Sequence, residues 1–422
     1  MRYLRIGVAS CFAIIGCSCG QLPAEELEWH PDANMDAQLF PSLLIATAAR
    51  RPVEQEEQPD PELLGDPYGS VGIAIKPTAS HTNVKVTVLE NSVMNKSSWS
   101  GELEKAGGDY YVAPKIDYKF DQLRKNAQQV PLNVTFELEV NGKTVGEKSE
   151  TLKLRTINDC PFAVADAEET IDPSKDQHVD EDPEGGTADE DNSVTGFADM
   201  GWMFAAYVNE NSPTVDKILK EAVGTKIVDH FAGYQDKETD VLRELFAIWA
   251  ALQSRGTRYG NIATPAGGSE IVFTQQVRFV DESVTNEQAN CADGSVLLCS
   301  VLRKIGLKSF LVKVPNHMYM GVYLRPNGEH PVALDTTLIG SSVNEEAYGK
   351  VMKQLNGLLD ELDKEMSGNQ AWKSFANAVA VGTENLNTNE QKFQGDDPQY
   401  QITDIDDARA DGIMPISYQK VK

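Results

Sequence analysis

Residues 286–306 read NEQANCADGSVLLCSVLRKIG and carry two of the chain's six cysteines. Leu298, Val301, Leu302 and Ile305 recur at helical spacing and Gly306 is a helix-stop residue. The stretch therefore predicts an amphipathic helix with Asn290 as its cap. Cys291 falls in the first turn, where unpaired N–H groups and roughly half a positive charge favour a thiolate. Cys299 lies two turns further in and gains little from that field. It reads as packing, because free cysteine is among the most buried residue types.

A nucleophilic thiolate needs a proton carrier, usually histidine, and a group that orients it. The chain has six histidines. His30 falls in a predicted tether, His178 in an acidic run, His81 in a β-rich stretch and His330 at a turn. His230 falls in a predicted helix with no acid arranged for it. His317 opens HMYMGVYL (317–324), a predicted strand entered directly from Pro315-Asn316. Asp335 lies eighteen residues on, near the end of the next predicted strand, PVALDTT (331–337). The start of one strand and the end of its antiparallel partner share a sheet edge, so His317 and Asp335 can meet. Cys291, His317 and Asp335 thus supply a nucleophile, a base and an orienting acid, in that chain order.

At this point NCADGSVLLCSVLRKIGLKSFLVKV (290–314), followed by HMYMGVYL and ALDTT, resembles the core of the transglutaminase-like superfamily. That family shares the papain-like arrangement of cysteine peptidases. The resemblance covers roughly residues 200–422 and is strongest over 275–340. Cys291, Asp293, His317, Asp335 and Thr336 fall on its motif positions. FTQQVRFVDESV (273–284) resembles a segment whose Gln helps to form an oxyanion hole, and Gln275 fits better than Gln276, sharing a face with Ile271, Phe273, Val277 and Phe279. Two departures stand out: Ala289-Asn290 replace a glycine before the cysteine, and Tyr319 replaces a Trp two places after His317. The resemblance implies a Cys-His-Asp hydrolase acting on amide or peptide bonds, with transamidation to an amine as a variant. The same family also contains scaffolds that only bind. Asp293 has two readings, support of the helix's first turn and contact with substrate.

The rest of the chain organises around this core. MRYLRIGVASCFAIIGC (1–17) has a basic start, a short apolar run and I-I-G-C, the parts of a bacterial lipoprotein signal with Cys17 as the lipidated residue. This implies a cell-envelope protein attached to a membrane through an N-terminal lipid, processed in a globomycin-sensitive way. Residues 18–65, including RPVEQEEQPDPELLGDP (51–67), read as a tether with a short helical stretch near Leu43-Leu44-Ile45. VGIAIKP (71–77), NVKVTVLE (83–90) and the runs flanking Asn141-Gly142 alternate apolar and polar residues. They predict a small all-β immunoglobulin-like sandwich over 66–158. Residues 159–199 read as an acidic linker, with twelve acids against Lys175 between Asp166 and Asp191.

From 200 to 422 the expected class is α+β, a papain-like or transglutaminase-like domain. TDVLRELFAIWAALQSRG (239–256) reads as a helix, SFLVKV, HMYMGVYL and PVALDTT as strands, and EEAYGKVMKQLNGLLDELDKEM (345–366) as a helix with a less regular tail. The net charge of −26 disfavours nucleic acid as a partner, since a phosphate backbone is held by Lys and Arg clusters. The expected partner is a protein or peptide substrate. No cofactor or metal is expected: Cys291 and Cys299 stand eight apart on one helix, not at the C-x-x-C spacing that closes on zinc.

Overall fold

The computed structural model describes residues 27–50, 60–165, 197–235, 237–260, 269, 271–395, 397 and 399–417. The lipobox with Cys17, the tether stretches 18–26 and 51–59, and the acidic run 166–196 lie outside the described residues. What is described is a mixed α and β chain with several sheets and helices.

The Asn141-Gly142 hairpin is present: Val130–Val140 pairs antiparallel with Lys143–Leu154, and Val140 faces Lys143. Both turn residues have positive φ (50° and 77°), the backbone that a two-residue hairpin of this hand requires. These strands belong to a five-stranded sheet in the order Gln38–Leu39, Lys143–Leu154, Val130–Val140, Thr82–Val88, Ser97–Leu103. A four-stranded sheet runs Glu28–Ala33, Val71–Lys76, Tyr110–Ala113, Leu63–Gly65. Alternate residues of the two sheets, Ile73 and Ile75 from one and Val86, Phe136 and Leu138 from the other, join one dry core. Fully burying each such side chain contributes about 1.5–3 kcal/mol.

Two boundaries differ from the sequence expectation. Residues 28–50, expected as tether, fold onto these sheets: Glu28–Ala33 is an edge strand, and Pro41–Thr47 is a helix that buries Ile45 and Ala46. Leu63–Gly65 likewise pairs with Tyr111, Val112 and Ala113. The cause lies in a few anchors rather than a pattern, since Trp29 is the one buried residue of its strand. The expected linker also starts too early. Asp159–Ala165 is a strand, paired with Phe197–Asp199 on one side and Val272–Gln276 on the other.

The junction is polar and satisfied. The Arg155 guanidinium is buried against the Asp159 carboxylate (3.1 Å) and Gln38, and stacks over Phe40. Asn158 donates through its side chain to the Val277 carbonyl (2.9 Å) and to Glu282 (2.8 Å), while its own carbonyl accepts from the Val277 N–H (2.8 Å). The end of the N-terminal sheet region thereby clamps the segment that leads to the cysteine helix.

That helix runs Cys291–Lys304 and ends before Gly306, whose φ is 80°. A four-stranded antiparallel sheet follows in the order Pro331–Leu334, His317–Tyr323, Ser309–Val314, Gln401–Asp404. One face presents Met320, Val322 and Leu334 to the core that holds Leu298, Val301 and Leu302. The other packs Phe310, Val312, Tyr319 and Ala333 with Leu386. The expected helix 345–366 is two, Glu345–Gln354 and Asp360–Met366, because Asn356 and Gly357 between them both take positive φ. The less regular tail contains a full helix, Trp372–Thr388. It lies against Pro331–Leu334 where Gly382 allows close approach: a Cβ there would stand 2.6 Å from the Ala333 carbonyl carbon.

Candidate active site

The cysteine helix starts with a reciprocal cap. Asn290 Oδ1 accepts from the Asp293 N–H (2.8 Å), and the Asp293 carboxylate accepts from the Asn290 N–H (3.1 Å). The same carboxylate takes the Arg278 N–H (2.7 Å) and Nη1 (3.1 Å). Asp293 is buried, and desolvation raises its pKa although the bonds from Arg278 and Asn290 oppose that. Its oxygens are occupied by the protein, so of its two readings the structure carries the one in which it supports the first turn. Cys291, set just inside this cap, is half-buried and free.

His317 opens its strand after Asn316, whose φ of 57° turns the chain into the sheet. The register pairs Met320 with Leu334, so Asp335 stands across from Tyr319 and diagonal to His317 on the same face. The side chains meet: His317 Nε2 lies 3.1 Å from Asp335 Oδ2. Asp335 also caps the short turn Thr336–Leu338, its Oδ1 accepting from the Thr337 N–H (3.0 Å) and hydroxyl (2.7 Å). Its own N–H donates to the Ala378 carbonyl (3.0 Å), which fixes it to the helix Trp372–Thr388.

The Cys291 thiol lies close enough to the His317 ring to act on it electrostatically. Asp335 first, then Cys291, raise the imidazole pKa to about 10 against the opposing effect of burial. Burial pushes Asp335 upward, but the bonds from His317 and Thr337 outweigh it and leave the carboxyl below its ordinary value. The ring is therefore held as an imidazolium at neutral pH, beside the Asp335 carboxylate and near Cys291.

Close packing holds the two halves together. The Thr336 hydroxyl reaches the Cys291 carbonyl (3.4 Å), and a Cβ on Gly294 would come within 2.7 Å of that hydroxyl oxygen. Only glycine lets the helix and the Asp335 turn approach so closely. Tyr319 is buried, with its ring centroid 6.0 Å from that of His317.

Gln275 is not brought into this cluster. It sits in the strand Val272–Gln276 opposite Cys160, and its amide nitrogen donates to the Gln276 carbonyl (3.1 Å). Among the described residues no hydrogen bond joins it to Cys291, His317 or Asp335. The strand ends at Gln276, so Val277 and Phe279 do not extend its face as expected. The other histidines lie elsewhere: His81 pairs with Glu102, His330 with Glu238, and His230 is exposed in a bend outside any helix. Tyr259 was missed by the sequence reading. It precedes Gly260 in a two-residue strand parallel to Gln288–Ala289, and its phenol pKa is raised by desolvation and by the nearby charges of Cys291 and Asp335. Nothing in RGTRYGN (255–261) signals that position, because the pairing that creates it is non-local.

The chain matches no family model and no curated protein.

Proposed function

We propose that this chain is an envelope-anchored cysteine hydrolase of amide or peptide bonds, with a papain-like, transglutaminase-like core behind an immunoglobulin-like sandwich. The observation that carries the reading is that the His317 imidazole is hydrogen-bonded to the buried Asp335 carboxylate and lies close to the helix-start thiol of Cys291. The resemblance of residues 275–340 to the transglutaminase-like core supports it. The lipid anchor at Cys17 rests on the signal-like start of the sequence.

In this mechanism the Cys291 sulfur attacks the substrate carbonyl carbon as a thiolate paired with the His317 imidazolium. The carbonyl π pair moves to oxygen, and the Cys291 N–H at the helix start faces the developing charge. As the tetrahedral intermediate collapses, the C–N bond breaks and His317 delivers its proton to the departing amine. Water, deprotonated by the now neutral His317, then cleaves the thioester, releasing the acid and restoring the thiolate–imidazolium pair. An amine in place of water gives transamidation by the same steps. Asp335 holds the ring through Nε2 and offsets its charge. Gln275 would join the oxyanion site only after its amide releases the Gln276 carbonyl.

Iodoacetamide alkylation across pH 5–9 tests the reading. Cys291 is expected to react at pH 6, where an ordinary thiol with a pKa of about 8.5 is almost wholly protonated. His317→Ala should lose that low-pH reactivity. If wild type and His317→Ala follow one ordinary thiol curve, the hydrolase reading fails and a non-catalytic binding or scaffold lipoprotein takes its place.

A further inference from the structure

A cavity of about 520 Å³ opens between the ends of two helices. The helix Glu238–Ser254 ends there and the helix Trp372–Thr388 begins there. Its wall includes Gln253, Thr257, Arg258, Asn369 and Gln370, and no Asp or Glu among the described residues. In a chain with 64 acidic residues and a net charge of −26, a cavity wall free of carboxylates invites a negative ligand.

The polar groups point the same way. Gln253 Oε1 accepts from the Ser374 hydroxyl (2.8 Å), which leaves its NH2 as the end free to donate. Asn369 Oδ1 accepts from the Ala371 N–H (2.9 Å), which does the same for its NH2. Arg258 is exposed and forms no ion pair among the described residues. Three carbonyls at the end of the first helix are already taken: Ala251, Gln253 and Leu252 accept from the N–H groups of Arg255 (3.1 Å), Gly256 (3.0 Å) and Thr257 (3.3 Å). What remains to a ligand is a guanidinium, two oriented amide donors and the positive end of the helix Trp372–Thr388.

We infer that this cavity binds a small oxyanion, a carboxylate or phosphate group, through Arg258 and the amide donors of Gln253 and Asn369. A guanidinium offers two parallel N–H donors to such a group, and the amides satisfy its remaining lone pairs. The site is built without Cys291, His317 or Asp335 and stands independently of the hydrolase reading.

Isothermal titration of the full chain at constant ionic strength, with glutarate in one arm and inorganic phosphate in the other, tests it. Saturable binding of at least one probe is expected, and the arm that binds identifies the group. Arg258→Gln should weaken that binding about tenfold or more, since it removes a charge-assisted contact. Its thermal melt should match wild type, because Arg258 is exposed and makes no ion pair among the described residues. Absence of saturable binding in both arms, or equal affinity in Arg258→Gln, overturns the inference.

Discussion

Cys291 and Cys299 stand on one helix about two turns apart, in opposite surroundings. At the first turn the chain is polar: Asn290 and Asp293 cap each other, Arg278 closes on Asp293, and the charge of His317 lies near the thiol. At the middle the wall is dry. Cys299 is fully buried with its sulfur 3.8 Å from the Phe310 carbonyl oxygen, and burial pushes its pKa up to about 12. The contrast shows that a thiol's chemistry is set by its position on the helix and by what the sheet brings to it, not by residue type.

The sharpest way to break this contrast is to remove one sulfur at a time. Cys291→Ala should abolish low-pH alkylation and, under the hydrolase reading, lower turnover by about 10⁴-fold or more. Its melting temperature should stay close to wild type. Cys299→Ala should leave alkylation intact and lower stability by about 1–2 kcal/mol through the cavity it leaves. Equal labelling of the two variants would show that the first turn confers nothing special.

The next effect is on the cap. Asp293→Ala strips a buried carboxylate from Arg278 and leaves the Asn290 N–H without its acceptor. Breaking a buried pair from one side costs about 3–5 kcal/mol, measurable by urea unfolding. A loss under about 1 kcal/mol would mean that the helix start is held by packing alone.

Gly294→Ala should act less on stability, about 1–3 kcal/mol, because one methyl must be accommodated against Thr336. Its informative readout is at a distance. Pushing the Asp335 turn off the helix should slow Cys291 alkylation at pH 6 while leaving Cys299 unreactive.

Parts of this arrangement are legible in the sequence because they are local. Asn290 before an apolar 3.6-residue pattern, Gly306 after it, and Asn141-Gly142 between alternating strands each act within a few residues. His317 and Asp335 become legible once a hairpin is assumed between them. The strand Glu28–Ala33 is not legible: it holds Pro31 and two acids, and survives only as an edge anchored by Trp29. The helix Trp372–Thr388 is diluted by Ala, Asn and Thr, so Trp372, Phe375 and Val379 do not stand out as a stripe. Arg278 and Tyr259 reach the site through pairings that no local pattern records.

The smallest effect, and the most specific to the pairing of His317, is its pH dependence. The folded imidazole titrates near 10, above its unfolded value of about 6.5, so its stabilising contribution is complete below about pH 6.5 and is lost as pH rises towards 10. Asp335 is lowered, so its contribution is complete above about pH 4 and is lost on acidification. The stability gap between wild type and His317→Ala should therefore be widest between about pH 4 and 6.5, and close from both sides. The His317 side chain is 27% exposed and the ion pair must repay its own desolvation, so the gap should be about 1 kcal/mol, a few degrees of melting temperature. Exposed pairs such as His81–Glu102 give a matched control: His81→Ala should show no comparable gap. A gap that widens above pH 8 would mean that the ring is neutral in the folded chain, and would remove the imidazolium from the first turn's distinction.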